Sequence, residues 1–320
     1  MSDLDALLRR VASDSLAPYV IDAWRAVDAS ARAGTLDRSP VGEAALRHLN
    51  LVLADDPVGC TPCPPTALRD AARQRITADR HSKDPLRRYL SLRRSELADL
   101  VGKPRQQDAR SQAQRTWHDM RRSEALSEAF DRHMIRRASA HVRANPIAGA
   151  TRVLVDIGGG PGQYVQQIMN HLGADWRALI IESYPSAGWL LRQDGTEIQG
   201  RVQLKQDGSW ADLPAGAGVY LLGSILHNLG DEAASILLRS CSSAAHTDSQ
   251  VVVVERTWNP ARLRDSSRDL DMRLLFGGRE RSNAELFALF TGAGLTINDI
   301  SLTPDEYRVL TGRTAGDCHG

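Results

Sequence analysis

The chain has 320 residues, of which 42% are hydrophobic and 25% are charged. This is an ordinary composition for a globular protein with room for two domains. The 40 Lys and Arg residues almost balance the 39 Asp and Glu residues, so the overall charge gives no reason to expect a nucleic-acid partner. No apolar run approaches the ~20 residues of a transmembrane helix. The acidic start of the chain lacks the layout of a signal peptide. The four cysteines imply no disulfide framework over this length, so we expect a cytoplasmic protein with no membrane contact.

The first part of the chain, residues 1–145, is predicted to be almost wholly helical. Helix-forming segments rich in Arg run over 86–101 and 109–142, and acidic residues are interleaved with the arginines. Mixed charges at helical spacing indicate a solvated face with i,i+4 ion pairs rather than a nucleic-acid surface. The dipeptide at 145–146, Asn followed by Pro, predicts the end of this helical part.

A proline-rich break over 55–65 contains Cys60 and Cys63 in a C-x-x-C arrangement. A zinc site needs four ligands, and Cys241 and Cys318 are single and distant in sequence. A thioredoxin-type motif should open a helix in a small βαβ unit, whereas this one lies among prolines. We interpret these cysteines as incidental and expect no metal site, with metal or redox function as the alternative.

From residue 151 strands and helices alternate, which predicts a mostly parallel sheet with helices on both faces. Strands are predicted at 152–155, 178–181, 202–204, 219–222, 251–254, 296–302 and 307–310. Helices are predicted at 163–171, 187–193, 232–243, 268–275 and 283–293. Ligands of such sheets bind beyond the carboxyl ends of the strands. The residues that follow each strand are therefore the candidate site residues.

The first predicted strand leads into a glycine-rich turn whose members are Gly158, Gly159, Gly160 and Gly162. Glycine lets the backbone turn sharply and approach a ligand closely, and the helix that follows offers unpaired N–H groups. A dinucleotide fingerprint would need a further glycine at Gln163, whereas the spacing here is D-x-G-x-G-x-G starting from Asp156. This counts against NAD or FAD. A tight turn without a ligand is the alternative.

The ends of the next strands predict a ligand with a ribose and a base. Glu182, about twenty residues beyond the glycine turn, suits the ribose hydroxyls. Asp207 and Trp210 offer a carboxylate for an exocyclic amine and an aromatic face for a base. S-adenosylmethionine (SAM) fits these groups. The residues predicted to contact it are Asp156, Gly158, Gly160, Gly162, Glu182, Asp207, Gly208, Trp210, Gly223 and Ser224.

Residues 109–310 resemble the bacterial and plant family of small-molecule O-methyltransferases, which pairs a SAM domain with a helical dimerisation domain. Among the most telling stretches is Gly277-Gly278-Arg279-Glu280-Arg281-Ser282 before a helix. Other matching stretches lie at 116–120, 130–134, 155–160, 213–217, 219–222, 225–227, 253–256, 269–272 and 292–295. The resemblance implies an α/β fold, with a Rossmann-like class I SAM methyltransferase domain over 146–320. It also implies linking helices that line the substrate pocket over 109–145, and a mostly helical N-terminal dimerisation domain over 1–108. A degenerate winged helix is one option for that N-terminal domain.

The family's general base maps onto His227, and the two acidic residues that flank it map onto Glu255 and Glu280. In this chemistry a phenol gives its proton to imidazole as its oxygen attacks the sulfonium methyl. The chain departs from the family at Asn228 and Leu229, where the family has Asp and Trp. After its third strand the family has a glycine followed by an acidic residue. An ungapped alignment places Asp207 on that glycine and Gly208 on that acidic residue. A shift of one residue would place Asp207 on the acidic position. A buried helix histidine is the alternative for His227.

The resemblance implies an O-methyltransferase that converts SAM to S-adenosyl-L-homocysteine (SAH) and acts on a small aromatic secondary metabolite, as in antibiotic biosynthesis. It also implies a homodimer. Phe130, Met134, Asn228 and Met272 are candidate residues for the substrate pocket, and core packing is the alternative for Phe130, Met134 and Met272. Two other functions remain open. One is a SAM-binding relative that performs decarboxylation, hydroxylation or cyclisation, and the other is a non-catalytic dimer partner.

Overall fold

The computed structural model describes residues 74, 77–98, 109–138, 142, 151–182, 199–206, 210 and 212–314. The predicted helix at 187–193, the loop with Cys60 and Cys63, Asp207, Gly208 and most of the predicted N-terminal domain lie outside the described residues. Two units can be distinguished. The first joins the chain before Met120 to Trp258–Glu280, and the second joins Met120–Thr257 to the chain from Arg281 onward.

The second unit is built on a seven-stranded sheet in the order β3-β2-β1-β4-β5-β7-β6. Its strands are β1 Val153–Ile157, β2 Arg177–Ile181, β3 Val202–Lys205, β4 Val219–Gly223, β5 Gln250–Arg256, β6 Leu295–Leu302 and β7 Tyr307–Thr314. The strands from β3 to β5 are parallel, whereas β7 is antiparallel to both β5 and β6. The predicted mostly parallel α/β sheet is confirmed, and each predicted strand is present.

The helices are α1 Pro85–Ala98, α2 Ala109–Arg122, α3 Glu124–Arg137, α4 Gln163–Met169, α5 Asp231–Ala244, α6 Leu263–Asp271 and α7 Asn283–Gly292. Short 3-10 turns occur at Gln199–Arg201 and Leu226–Asn228, and a π-helical turn occurs at Met272–Phe276. None of the described helices is both long enough and apolar enough to cross a membrane.

Two helix predictions were wrong in their extent. The segment 109–142 is not continuous, because Ser123 has an extended backbone and caps α3, its side chain accepting from the Leu126 N–H at 3.3 Å. The segment 268–275 is also not one α-helix. The helix α6 begins earlier than predicted, at Leu263, and ends at Asp271. The π-helical turn follows directly and is capped by Gly277, which has a φ of 70°.

The sheet is covered on both faces, as predicted, because alternate side chains of each strand point to opposite sides. On one face Val155 and Val253 belong to a buried cluster with side chains of α5 and α7. On the other face Leu154 and Val252 belong to a second buried cluster with side chains of α4. Each such aliphatic side chain contributes roughly 1.5–3 kcal/mol when fully buried. This packing fixes the carboxyl ends of β1, β2, β4 and β5 along one edge of the sheet.

The first unit joins α1 to α6 through an ion pair between residues distant in sequence. Arg94 donates from Nε and Nη2 to the two carboxylate oxygens of Asp271, at 2.9 and 2.7 Å. In the same unit Tyr89 donates to the Asp119 carboxylate at 3.0 Å, and its pKa is raised to about 12 by burial and by that carboxylate. The α1 segment and the segment after β5 therefore stabilise each other.

Replacing Arg94 by Ala should destabilise the protein, because it removes a nearly buried guanidinium that pairs with Asp271 in a bidentate manner. We expect a loss of roughly 1–3 kcal/mol in the free energy of unfolding, measured by urea denaturation. Arg264→Ala is the matched control in the same unit, because its pair with Asp265 is 3.4 Å long and its side chain is 55% exposed. The control should cost less than about 0.5 kcal/mol. Equal effects of the two substitutions would contradict a structural role for the Arg94 pair.

Candidate functional site

The glycine-rich turn after β1 depends on backbone conformations that favour glycine. Gly158, Gly160 and Gly162 have φ values of 67°, 51° and 92°, in the left-handed region that other residues rarely adopt. The Gly158 N–H donates to the Ile181 carbonyl of β2 at 2.8 Å. The turn is therefore fixed against the ends of two neighbouring strands.

One side of this turn is tightly packed and the other is open. A Cβ placed on Gly159 would lie 2.5 Å from a carboxylate oxygen of Asp156, whereas a Cβ on Gly160 would meet no atom of the described chain within 4 Å. The Gly160 N–H donates to the Glu182 carboxylate at 3.2 Å. The open side beside Gly160 and Glu182 is thus a cradle in which a ligand could approach the backbone closely.

Asp156 is fully buried beneath the turn, and neither of its carboxylate oxygens has a hydrogen-bond partner among the described residues. Burial, followed by the nearby charge of Glu182, raises the pKa of Asp156 to about 8. An unpaired buried carboxylate is costly. Its position below the cradle suits a ligand that brings a positive charge or a hydrogen-bond donor. The residues around the turn therefore fit the cofactor predicted from the sequence.

The end of β4 forms a second wall of the site. A Cβ on Gly223 would lie 2.4 Å from the ring of Tyr164, so this position admits only glycine without a shift of the ring. Ser224, the next residue, has a φ of 56°, and its hydroxyl lies 3.4 Å from that of Tyr164. Strained backbone of this kind is often found at functional sites. Sequence reasoning missed Tyr164, although an aromatic residue in the first turn after a glycine loop is a visible signal.

His227 and Glu255 lie together at this edge of the sheet. The His227 N–H donates to Glu255 Oε1 at 3.2 Å, and His227 Nδ1 lies 3.1 Å from Oε2. Burial raises the pKa of Glu255, but the charge of His227, two hydrogen bonds from it and the charge of Arg281 lower that pKa below its ordinary value. Glu255 is therefore an ionised carboxylate facing one ring nitrogen of the histidine.

The remaining predicted residues are distributed over both units. In the second unit Asn228 donates to the Ser224 carbonyl at 3.5 Å, and Trp210 packs against the core face that holds α5 and α7. Phe130 and Met134 lie half-buried on α3. They share the second unit with the predicted base.

Glu280 and Met272 belong to the first unit. The Glu280 carboxylate is buried and accepts from Arg268 Nε at 2.7 Å, and the Glu280 N–H donates to Asp269 at 3.0 Å. Met272 is half-buried in the π-helical turn. Within the described ranges, no three His, Cys, Asp or Glu side chains are grouped as a metal site.

This chain aligns with about half the length of the curated relatives that it matches. A 2,7-dihydroxy-5-methyl-1-naphthoate 7-O-methyltransferase of Streptomyces carzinostaticus is 33% identical over 185 residues, which are 57% of this chain and 55% of the relative. The phenazine-1-carboxylate N-methyltransferase of Pseudomonas aeruginosa is 30% identical over 51% of this chain and 50% of its own.

Similarity to a solved structure covers nearly the whole chain. The O-methyltransferase NcsB1 from neocarzinostatin biosynthesis, in complex with SAH and 1,4-dihydroxy-2-naphthoic acid, is 27% identical with a TM-score of 0.60. The alignment covers 96% of this chain and 95% of that protein. The predicted fold class is thereby confirmed.

The family model that matches this chain is described as an O-methyltransferase domain, and it covers residues 95–296. The match takes in α2, α3, the glycine turn, the His227–Glu255 pair and Glu280. It spans more than half of the 320 residues. The chain therefore belongs to the O-methyltransferase domain family, as its sequence predicts.

Proposed function

We propose that this protein is a SAM-dependent O-methyltransferase that methylates a hydroxyl group of a small aromatic acceptor. The observation that carries the proposal is the position of the His227–Glu255 pair, which lies along the same sheet edge as the glycine turn. Transfer of a methyl group to a weakly acidic hydroxyl requires a site for the methyl donor and a base close to it. Here the ligand cradle and the proposed base follow neighbouring strands of the sheet. The family membership and the ligands named for NcsB1 agree with this function.

Several residues of the second unit would hold the cofactor. The open side of Gly160 leaves room for close approach, and Glu182 offers carboxylate oxygens to ribose hydroxyls. A bound ammonium group would favour the charged form of buried Asp156. Ser224, which follows β4, and Trp210, which follows β3, are further proposed contacts of the cofactor. When bound, SAM supplies an electrophilic methyl group on a sulfonium centre.

His227 is the proposed general base. Because Nδ1 faces the ionised carboxylate of Glu255 at 3.1 Å, a proton on Nδ1 is favoured, and this leaves Nε2 as the acceptor of the substrate's hydroxyl proton. Glu255 then stabilises the imidazolium that forms. General-base catalysis of this kind contributes roughly 10²–10⁴-fold. Glu280, oriented by Arg268 and Asp269 within its own unit, is the proposed second acid of the family's set.

We infer that the acceptor is a hydroxylated aromatic compound, with an arene carboxylic acid as the first class to test. The naphthoate named for the Streptomyces carzinostaticus relative and the phenazine carboxylate named for the Pseudomonas aeruginosa relative both carry a carboxylate on fused rings. Phe130, Met134, Asn228 and Met272 are the proposed acceptor contacts. A homodimer is the proposed assembly.

A second candidate function keeps the SAM site but performs another reaction. Asn228 and Leu229 replace the Asp and Trp that the family usually carries after the histidine, and Asn228 is turned towards the Ser224 carbonyl. The change next to the base is the observation that favours this alternative. It predicts SAM binding without formation of SAH.

The test is an incubation of the purified protein with methyl-labelled SAM and a panel of hydroxynaphthoic and hydroxyphenazine carboxylic acids. The proposal expects equal amounts of SAH and a methyl ether, identified by mass spectrometry. Binding of SAM in calorimetry with no SAH formed and a non-methylated product would favour the second candidate. An absence of SAM binding would contradict both functions.

A further inference from the structure

The proposed base lies in a turn too short to hold itself rigidly. His227 occupies the single 3-10 turn Leu226–Asn228 between β4 and α5. Such a turn has weak hydrogen-bond geometry, and here the Leu229 N–H donates to the Leu226 carbonyl at 3.1 Å. A change in this backbone would move the imidazole. The position of the base therefore depends on what else holds the turn.

Arg281 holds the turn on both sides of the histidine. Its Nη1 donates to the Leu226 carbonyl at 2.6 Å, and its Nη2 donates to the Leu229 carbonyl at 2.7 Å. One planar guanidinium thus joins the carbonyls that precede and follow the base, in a geometry that a lysine ammonium cannot reproduce. The Arg281 side chain is only 2% exposed. Water therefore competes little for these hydrogen bonds.

The buried charge of Arg281 is balanced from the start of α5. Nε and Nη2 of Arg281 donate to Asp231 Oδ1 at 3.0 and 2.9 Å, and the Asp231 side chain is 56% exposed. A buried guanidinium is costly without such a partner. Asp231 therefore anchors the guanidinium in the orientation in which its other nitrogens meet the carbonyls of the turn.

The backbone of Arg281 is fixed by the residue that follows it. Ser282 is the N-cap of α7 and forms a capping box, in which its side chain accepts from the Glu285 N–H at 3.3 Å and its own N–H donates to the Glu285 carboxylate at 2.8 Å. A capping box satisfies donors that a helix start would otherwise leave unpaired. Arg281 thus extends from the rigid start of α7 to the turn of His227.

We propose that Arg281, anchored by Asp231, is a positioning residue that fixes the turn Leu226–Asn228 and thereby the direction of the His227 imidazole. Sequence reasoning missed this role, because Arg281 contributed only to the family resemblance. The inference rests on the proposed function of His227 as the base. It goes beyond that function by assigning the orientation of the base to a side chain 54 positions later in the chain (281 − 227).

Arg281→Lys is the first test, because it keeps the charge but loses the planar fork. We expect kcat to fall roughly 10–100-fold, as when a catalytic group is displaced by about 1 Å. The Kd of SAM in calorimetry should stay within about twofold, since the cradle is untouched. The kcat should be measured with acceptors of graded hydroxyl acidity. The loss should be greatest for the least acidic hydroxyl and smallest for the most acidic one, because an acidic hydroxyl needs the base least.

Asp231→Asn is the second test, and it decides the question even if Arg281→Lys does not fold. Its side chain is more than half exposed, so a folded variant is expected. We expect a smaller loss of kcat with the same dependence on acceptor acidity. The matched controls are Arg132→Lys, in an exposed i,i+4 ion pair, and Asp248→Asn, in an exposed turn. Both controls should keep the parent rate with every acceptor.

The outcomes separate the inference from the proposed function. An equal loss with every acceptor, together with a lower melting temperature, would show a structural role only and overturn the inference. Unchanged kinetics of both variants, in an enzyme that His227→Ala inactivates, would overturn it and leave the proposed function standing. If His227→Ala retains turnover, the proposed base is wrong and the positioning role fails with it.

Discussion

Replacing His227 by Ala should lower kcat by roughly 10²–10⁴-fold while leaving SAM affinity nearly unchanged. The expected loss is that of a general base in the transition state. SAM affinity should persist, because the proposed cofactor contacts lie at the glycine turn and not at the turn Leu226–Asn228. Single-turnover SAH formation measures the first quantity, and calorimetric titration with SAM measures the second.

The matched control for this substitution is His171→Ala, which removes an exposed histidine from the same unit and should leave both quantities unchanged. Loss of SAM binding together with activity in His227→Ala would indicate that this histidine stabilises the fold of the site. Retained activity would contradict its role as the base. Partial recovery of activity at high pH is expected, because hydroxide raises the ionised fraction of the acceptor.

Replacing Asp156 by Asn should make the protein more stable at every pH above the ordinary pKa of an Asp side chain, and it should weaken SAM binding. The pKa of Asp156 is about 8 in the folded protein, well above the ordinary value of an Asp side chain. Between these two values the folded state holds a proton that the unfolded state has lost. The free energy of unfolding therefore falls as pH rises towards 8. Asn removes this dependence, because it carries no charge in either state.

We expect a gain of roughly 3–6 kcal/mol at pH 8 for Asp156→Asn, since each unit between the ordinary pKa of an Asp side chain and the value of about 8 corresponds to ~1.4 kcal/mol. At pH 4 the gain should nearly vanish. Thermal unfolding at a series of pH values measures it, and Asp212→Asn, at an exposed position, is the control. SAM affinity should fall roughly 10–100-fold at pH 8, as expected for loss of a charged hydrogen-bonding partner. A variant that is less stable than the parent at pH 8 would show that the ionised carboxylate is favourably paired.

These two substitutions act on different components of the proposed site. His227→Ala should lower kcat and preserve SAM binding, whereas Asp156→Asn should weaken SAM binding and raise the free energy of unfolding. An exchange of stability for function is expected where a buried charge is kept for a ligand. If both variants lost the same property, one connected structural role for Asp156 and His227 would replace the separate roles proposed for them.

The class of the sheet could be predicted from the sequence alone, and so could the edge on which the proposed site lies. Buried parallel strands appear as β-branched runs such as Val251–Val254, and a glycine turn after the first strand needs only local conformation to be recognised. The pairing of the candidate base with Glu255 was predicted only through family resemblance. Their contact brings together positions 28 residues apart, at the ends of two neighbouring strands.

Other features depend on contacts between distant segments, and these contacts exist only in the folded chain. The sequence predicted continuous helices at both Ser123 and Asp271. At Ser123 a helix cap interrupts the helix, and after Asp271 the hydrogen bonding changes to that of a π-helical turn. In both places local hydrogen bonding outweighs helix propensity. Helical and strand periodicity report which face of an element is apolar, but they carry no information about which carbonyl a distant guanidinium reaches. The hydrogen bonds of Arg281 to the turn of His227 are properties of the folded chain, and so is the burial of Asp156 without a hydrogen-bond partner among the described residues. They arise only when the sheet edge, the start of α5 and the start of α7 are brought together.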